Sequence, residues 1–142
     1  MRIRPLRREE LADYLALRVQ LWPEGGDEAE EVEALLRDPQ AMAFVAEAEG
    51  RLVGFVEVSL RPYAEGCETR PVGYLEGWYV LPSWRRRGVG RALVEAAEAW
   101  ARAKGCREMA SDAALANLLG QEAHRHLGYE EVERIVCFRK PL

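Results

Sequence analysis

The chain has 142 residues, 49% of them hydrophobic and 31% charged, a balance typical of one globular domain, residues 1–142, with a single core. Its formal net charge of −4 argues against general nucleic-acid binding, and no apolar run approaches the roughly 20 residues of a membrane-spanning helix. The three cysteines lack the paired spacing of a metal site, and their odd number without a signal peptide predicts buried free thiols in a reducing cytoplasm.

The first half of the chain predicts a short strand, two helices and a hairpin. Trp22-Pro23 ends the first helix, Asp27 is placed to cap the second, and Glu49-Gly50 is a hairpin turn. The predicted elements are a strand over residues 2–5, a helix over 7–21, a helix from Asp27 to about residue 38, and strands over 41–46 and 52–60.

The second half predicts alternating strands and helices after a polar loop over residues 61–71. Strand–helix–strand order implies parallel pairing, whereas the earlier hairpins imply antiparallel pairing, so the sheet should be mixed with helices on both faces. The predicted elements are a long, doubly covered strand over 72–81, a helix over 89–104, a strand over 106–110, a helix over 114–127 and a last strand over 131–138.

A basic, glycine-containing turn joins the long strand to the helix that follows it, with the sequence Arg85-Arg86-Arg87-Gly88-Val89-Gly90-Arg91-Ala92. The start of a helix leaves backbone N–H groups unpaired, and together with the positive end of the helix dipole these groups attract phosphate. Basic side chains strengthen the attraction. The turn therefore predicts a ligand that carries phosphate groups, with a solvated basic turn as the alternative.

With its flanking strand and helix, the pattern Arg85-x-x-Gly88-x-Gly90 resembles the acetyl-CoA motif of the GCN5-related N-acetyltransferases. Asn117 in the next helix and the ending Leu127-Gly128-Tyr129 resemble the same family. The resemblance implies an α/β, mixed α+β fold, in which helices flank a central mixed sheet. It also implies acetyl-CoA as the co-substrate and requires no metal.

A closer resemblance, to the aminoglycoside 6′-N-acetyltransferases, extends over nearly the whole chain. It implies acetyl transfer to the 6′-amine of an aminoglycoside by direct attack of the amine, antibiotic resistance as the outcome, and a homodimer. A polyamine, small amine or protein amine as acceptor, or a CoA-binding module without turnover, stays open. The segments that carry it are Leu17-Arg18, Leu21-Trp22-Pro23, Leu75-Glu76-Gly77, Val80-Leu81-Pro82, Ser111-Asp112-Ala113-Ala114-Leu115 with Asn117, and Glu133-Arg134 before Phe138.

The resemblance assigns the acetyl-CoA site to the turn, the long strand and one helix. The backbone of Trp78, Tyr79 and Val80 would pair with the pantetheine arm, and Asn117 would hydrogen-bond the same arm. Glycine at two positions allows close approach of a phosphate to the backbone. The residues predicted to hold the pyrophosphate are Arg85, Arg87, Gly88, Val89, Gly90, Arg91 and Ala92.

The acceptor site would combine carboxylates for a polycation with aromatic walls. Each residue has an alternative explanation: a salt-bridged core position for Glu76, a helix cap for Asp112, a solvent-facing strand position for Glu133, and core packing for Trp22. The residues predicted to bind the acceptor are Trp22, Tyr63, Glu76, Asp112 and Glu133.

The reaction requires the acceptor ammonium to lose a proton before it attacks the thioester. Glu76 is the first candidate for the base, directly or through water, and Asp112 is the second. The backbone N–H of Val80 could stabilise the oxyanion. His124 occupies the position at which much of the superfamily carries a tyrosine that protonates the leaving thiolate, with a surface histidine as the alternative.

Overall fold

A five-stranded sheet with four α-helices forms the core of the chain, which a computed structural model describes over residues 1–142. Neighbouring strands are antiparallel from the first to the fourth, and the fourth and fifth are parallel, which confirms the mixed sheet. The elements are β1 (Arg2–Pro5), α1 (Leu11–Leu21), α2 (Glu28–Arg37), β2 (Ala41–Ala48), β3 (Arg51–Arg61), β4 (Val72–Val80), α3 (Val89–Ala103), β5 (Met109–Ser111) and α4 (Leu118–His126).

Helices cover both faces of the sheet, as predicted. On one face, Leu93 and Ala97 of α3 pack with Val56 and Val58 of β3 in an apolar cluster. On the other face, Tyr14 of α1 packs with Phe55 of β3 and with residues of α2. Burial of these apolar side chains on both sides fixes the central strands, at about 25 cal/mol per Å² removed from water.

The sheet opens on one side of β4, and this opening positions the candidate site. β5 pairs only with Gly73–Leu75, so the rest of β4 has no strand on that edge. Opposite β3 the register shifts, because Glu57 pairs with Gly77 while Val58 pairs with Leu75. Glu76 is therefore the extra residue of a β-bulge, a device that redirects a side chain and bends the strand.

The C-terminal part of the chain departs from the sequence predictions. The strand predicted over residues 131–138 is wrong, because the segment after Tyr129 has no strand pairing and lies exposed. The predicted strand over 106–110 becomes the shorter β5. The helix predicted from residue 114 begins at Leu118, since Asn117 caps it by accepting a hydrogen bond from the Gly120 N–H at 2.9 Å.

The three cysteines are free thiols with different surroundings. Cys106 is buried and Cys67 is half-buried, and burial raises the pKa of both thiols. Cys137 is exposed, which corrects the expectation that all three are buried. No helix is both long enough and apolar enough to cross a membrane.

Candidate active site

An acidic cleft of about 620 Å³ lies between the α1–α2 connection and the bulge of β4. It brings Trp22 and Glu76 together, two residues that the sequence places 54 positions apart. One arginine and five glutamates face it, so the cleft suits a ligand with several positive charges. The lining residues are Arg18, Leu21, Trp22, Pro23, Glu24, Gly25, Gly26, Glu28, Glu31, Glu57 and Glu76.

Trp22 lies directly on the backbone of Gly77, the residue after the bulge. A Cβ built on Gly77 would lie 2.7 Å from Cζ2 of Trp22 and closer still to Cη2, so only glycine leaves room for the indole. The Arg18 guanidinium sits 4.6 Å from the centroid of the indole, a cation–π contact. The Trp22 indole, which forms the aromatic wall of the cleft, thus packs between Gly77 and Arg18 and lies beside Glu76.

A buried ionic network supports that wall from beneath. Glu57 is 3% exposed and Arg18 7%, and Arg18 Nε lies 2.8 Å from a Glu57 carboxylate oxygen. The Tyr14 hydroxyl donates to the same oxygen at 2.5 Å. Burial alone would lower the pKa of Arg18, but the hydrogen bond and ion pair with Glu57 raise it. Arg18 therefore stays charged, and its pairing with Glu57 fixes the position of α1 against the sheet.

Glu76 is held by two residues of β3. Arg61 donates to both of its oxygens, Nε to Oε2 at 2.9 Å and Nη2 to Oε1 at 2.6 Å, and the Ser59 hydroxyl donates to Oε2 at 2.5 Å. The alternative of a salt-bridged residue is therefore correct in part, although Glu76 also lines the cleft. Hydrogen bonds and the ion pair with Glu76 raise the pKa of Arg61.

The same network reaches Asp112 through Tyr74. The Arg61 guanidinium stacks on the Tyr74 ring, 3.5 Å from its centroid, and the Tyr74 hydroxyl donates to Asp112 Oδ2 at 2.5 Å. Burial and this hydrogen bond raise the pKa of Tyr74, so the hydroxyl remains a donor. Asp112 does not cap a helix, because α4 begins six residues later.

His124 of α4 has a hydrogen-bond partner at each ring nitrogen. Nδ1 lies 2.6 Å from the carbonyl oxygen of Gly120, which can only accept, and Nε2 lies 2.8 Å from the Ser111 hydroxyl. Neutral His124 accepts from Ser111. Protonated His124 would donate to Ser111, which then donates to the Leu75 carbonyl at 3.4 Å. The network thus accommodates both protonation states.

The open edge of β4 presents free backbone groups near this network. The Leu81 N–H donates to the Val53 carbonyl of β3 at 2.9 Å. Hydrogen-bonded and non-hydrogen-bonded pairs alternate along an antiparallel ladder, so Val80, the residue before Leu81, pairs with Gly54 without hydrogen bonds. The N–H and C=O of Val80 therefore point away from β3. By the same alternation, the backbone N–H and C=O of Trp78 also point toward the open edge. Arg85 Nε donates to the Val80 carbonyl at 2.9 Å, which leaves the Val80 N–H as the free group.

The basic turn forms the N-terminal end of α3. Gly88 adopts a left-handed conformation (φ 81°) as the capping residue, and no side chain caps the helix. The first N–H groups of α3 therefore have no acceptor within the helix and point into the turn. A Cβ on Gly88 would meet nothing within 4 Å, so there is space above the backbone. Free amides, space and arginines suit the pyrophosphate of acetyl-CoA.

Trp78 closes the side of this turn. A Cβ built on Gly90 would lie 3.1 Å from Cζ2 of Trp78, so the indole packs against the start of α3. It also meets the His124 ring edge-on, with centroids 5.4 Å apart. The indole Nε1 is buried without a hydrogen-bond partner. Trp78 thus joins the turn to α4.

Three predicted residues lie outside this arrangement. Tyr63 is 66% exposed, just beyond the end of β3. Glu133 lies in the exposed C-terminal segment and forms no ion pair or hydrogen bond with another side chain. Asn117 caps α4 through Oδ1, which leaves its Nδ2 group free to donate. Their proposed ligand contacts stay predictions.

Sequence reasoning missed the residues that connect the site. The sequence predicts Arg61 in a polar loop, whereas it is the last residue of β3. Glu57, Ser59 and Arg61 alternate with apolar residues, as positions of a strand do. That alternation was the available signal. Tyr74 gave no such signal, because an aromatic residue in a central strand usually packs in the hydrophobic core.

Comparison with known proteins gives one consistent result. Residues 4–129 match the model of the Acetyltransferase (GNAT) family. Aminoglycoside N(6′)-acetyltransferase type 1 from Stenotrophomonas maltophilia is 48% identical over 142 residues, covering 99% of this chain and 93% of its own, and the Klebsiella aerogenes protein of that name is 45% identical, covering 99% and 96%. The structure of AAC(6′)-Iy with the bisubstrate analogue CoA-S-monomethyl-acetylneamine superposes with a TM-score of 0.94 at 42% identity, covering 99% of this chain and 98% of its own.

Proposed function

The chain belongs to the GNAT acetyltransferase family, among the aminoglycoside N(6′)-acetyltransferases, and we propose that it transfers the acetyl group of acetyl-CoA to the 6′-amine of an aminoglycoside. One observation carries the proposal: the acidic cleft meets the open edge of β4 at Glu76, so a polycation and a thioester can reach the same point. Residues 1–142 would form one catalytic domain.

On the donor side, bound acetyl-CoA supplies the thioester that the amine attacks. Trp78 and Val80 would pair with its pantetheine arm, and the free amides at the start of α3 would hold its pyrophosphate. The Val80 N–H points away from β3 into the open edge, where it would face the carbonyl of the bound thioester. There it would donate to the developing oxyanion, the kind of contact whose loss costs about 10²–10³-fold in kcat.

On the acceptor side, Trp22 would stack on a sugar ring and the glutamates would pair with the other ammonium groups. Glu76 would receive the proton of the reacting amine directly or through water, using the acceptor capacity that Ser59 and Arg61 leave free. As the N–C bond forms and the C–S bond breaks, His124 would return a proton to the thiolate through Ser111. Asp112 remains the alternative base.

The test is a CoA-release assay with kanamycin, tobramycin, spermidine and a peptide amine as acceptors. We expect turnover with both aminoglycosides, and resistance when the protein is expressed in a susceptible bacterial host. Good turnover with spermidine and none with either aminoglycoside would reject the proposal. Glu76→Gln at saturating acceptor is expected to slow the reaction more than Glu24→Gln, which changes a carboxylate in the same cleft but away from β4.

We further propose a homodimer. The C-terminal segment exposes five large apolar side chains, with Phe138 92% exposed, and its backbone lacks strand partners. These side chains are Val132, Ile135, Val136, Phe138 and Leu142. A second copy that covers this segment would bury these groups. Glu133 lies on the segment, so its contact with an acceptor depends on how the segment is covered. Because acetyl-CoA is made in the bacterial cytoplasm, we propose that compartment.

Light scattering of the full chain tests the dimer. We expect twice the mass of one 16.1 kDa chain, and a shift toward the monomer in the variant Phe138→Glu. A single chain at all concentrations would reject the dimer and leave the enzymatic proposal intact.

A further inference from the structure

The charges of the cleft, together with those of the network behind Glu76, are distributed unevenly between its two ends. Around the α1–α2 connection, Arg18 faces four carboxylates, which leaves an excess of three negative charges. Around the bulge, Arg61 faces two, Glu76 and Asp112, and leaves an excess of one. The carboxylates that outnumber Arg18 are Glu24, Glu28, Glu31 and Glu57.

Arg61 lowers the excess of negative charge at the reacting end from two to one. Its guanidinium binds both oxygens of Glu76 and lies flat on Tyr74, whose hydroxyl bonds Asp112. The side chain is 42% exposed, so the fold does not need it for core packing. No apolar residue in its place could supply the positive charge that Glu76 now faces.

A negative site creates a conflict for an amine acetyltransferase. Carboxylates hold the acceptor as an ammonium ion, yet they also raise the pKa of that ion and delay the proton loss that attack requires. We propose that Arg61 is a positioning residue that resolves this conflict: it offsets the charge of Glu76 where the reacting amine is held, while the outer carboxylates bind the other ammonium groups. This inference rests on the proposed function.

Removing the charge should separate binding from turnover. In Arg61→Met the negative charge of Glu76 is no longer offset, so the bound amine would hold its proton more tightly. One unit charge within about 4–6 Å shifts a pKa by about 1 unit or more. We therefore expect kcat near neutral pH and the KM for kanamycin both to fall about tenfold, and kcat to recover at a pH about 1 unit higher. Loss of packing alone would raise KM.

Other charged and titratable groups around the amine remain in place in this variant. On the sheet side these are Tyr74, Glu76 and Asp112, with His124 behind Ser111. On the side of α1 and α2 they are Arg18, Glu28 and Glu31, with Glu24 at the connection and Glu57 of β3 beneath Arg18. Arg61→Lys keeps the charge and should retain the pH profile of the parent. Arg51→Met removes an exposed arginine at the other end of β3 and should leave kcat, KM and the profile unchanged.

The experiment measures kcat and KM for kanamycin against pH in the parent and the three variants. Calorimetry with CoA in place of acetyl-CoA, in buffers of different ionisation enthalpy, counts the protons released when kanamycin binds. We expect fewer protons released by Arg61→Met than by the parent. An unshifted kcat profile with equal proton release, or a raised KM, would overturn the inference. A parent that acetylates no aminoglycoside would instead reject the proposed function.

Discussion

Gly77→Ala adds one methyl group beneath the aromatic wall of the cleft. The new carbon would lie 2.7 Å from Cζ2 of Trp22, whereas unstrained carbon contacts are about 3.5–4.0 Å. The indole must therefore move by more than about 1 Å, because Cη2 lies closer still and the backbone of β4 is held in the sheet. Overpacking of this kind costs about 1–3 kcal/mol of stability.

The functional cost should exceed the structural one. A misplacement of about 1 Å near the chemistry lowers turnover by up to about 10²-fold, and Trp22 adjoins Glu76. We expect kcat/KM for kanamycin to fall by about that factor. Denaturant unfolding gives the free energy of unfolding, and steady-state CoA release gives the kinetics.

A double-mutant cycle isolates the clash. Removing the indole with Trp22→Ala should make Gly77→Ala nearly neutral for stability, so the two changes are strongly non-additive. Gly26→Ala is the stability control, since its Cβ would meet nothing within 4 Å. If Gly77→Ala destabilises equally with and without the indole, Trp22 does not rest on this glycine and the reasoning fails.

Two further predictions concern charge and stability. Arg18→Met leaves Glu57 buried without its counter-charge, so the free energy of unfolding should fall by about 3–5 kcal/mol, and adding Glu57→Gln should recover part of it; additive losses would contradict the pairing. The hydrogen bond from Arg4 lowers the pKa of Glu10, so its stabilisation is present above the unfolded carboxyl pKa of about 4.3 and is lost as the pH falls through the folded value. Glu10→Gln should therefore destabilise at pH 7, and by progressively less on acidification in urea titrations; a constant difference would refute it.

Elements with a strong local signal were predictable from the sequence. The helix predicted over residues 89–104 and the hairpin turn at Glu49-Gly50 are confirmed, because helical period and turn chemistry are local properties. The absence of a C-terminal strand was not predictable, since the apolar residues within 131–138 say nothing about whether a sheet edge is available to them. The start of α4 was also not predictable. The helix pattern begins at residue 114, but the hydrogen bond from the Gly120 N–H to Asn117 Oδ1 starts the helix at Leu118.

The site was predictable in its residue types and not in its connections. Glu76 and Trp22 could be singled out, and the cleft brings them together. That Arg61 binds Glu76 depends on the register of β3 against β4, which a one-residue bulge sets and which no sequence period encodes. The outcome is a base candidate whose partner, Arg61, the sequence places in a loop and the structure places beside it.

The identity of the acceptor nitrogen is tested most directly with two aminoglycosides that differ only at the 6′ position, neomycin with an amine and paromomycin with a hydroxyl. We expect CoA release with neomycin, a single acetyl group assigned to N6′ by NMR, and no release with paromomycin. Equal turnover of the two, or acetylation of neomycin at another amine, would contradict transfer to the 6′-amine.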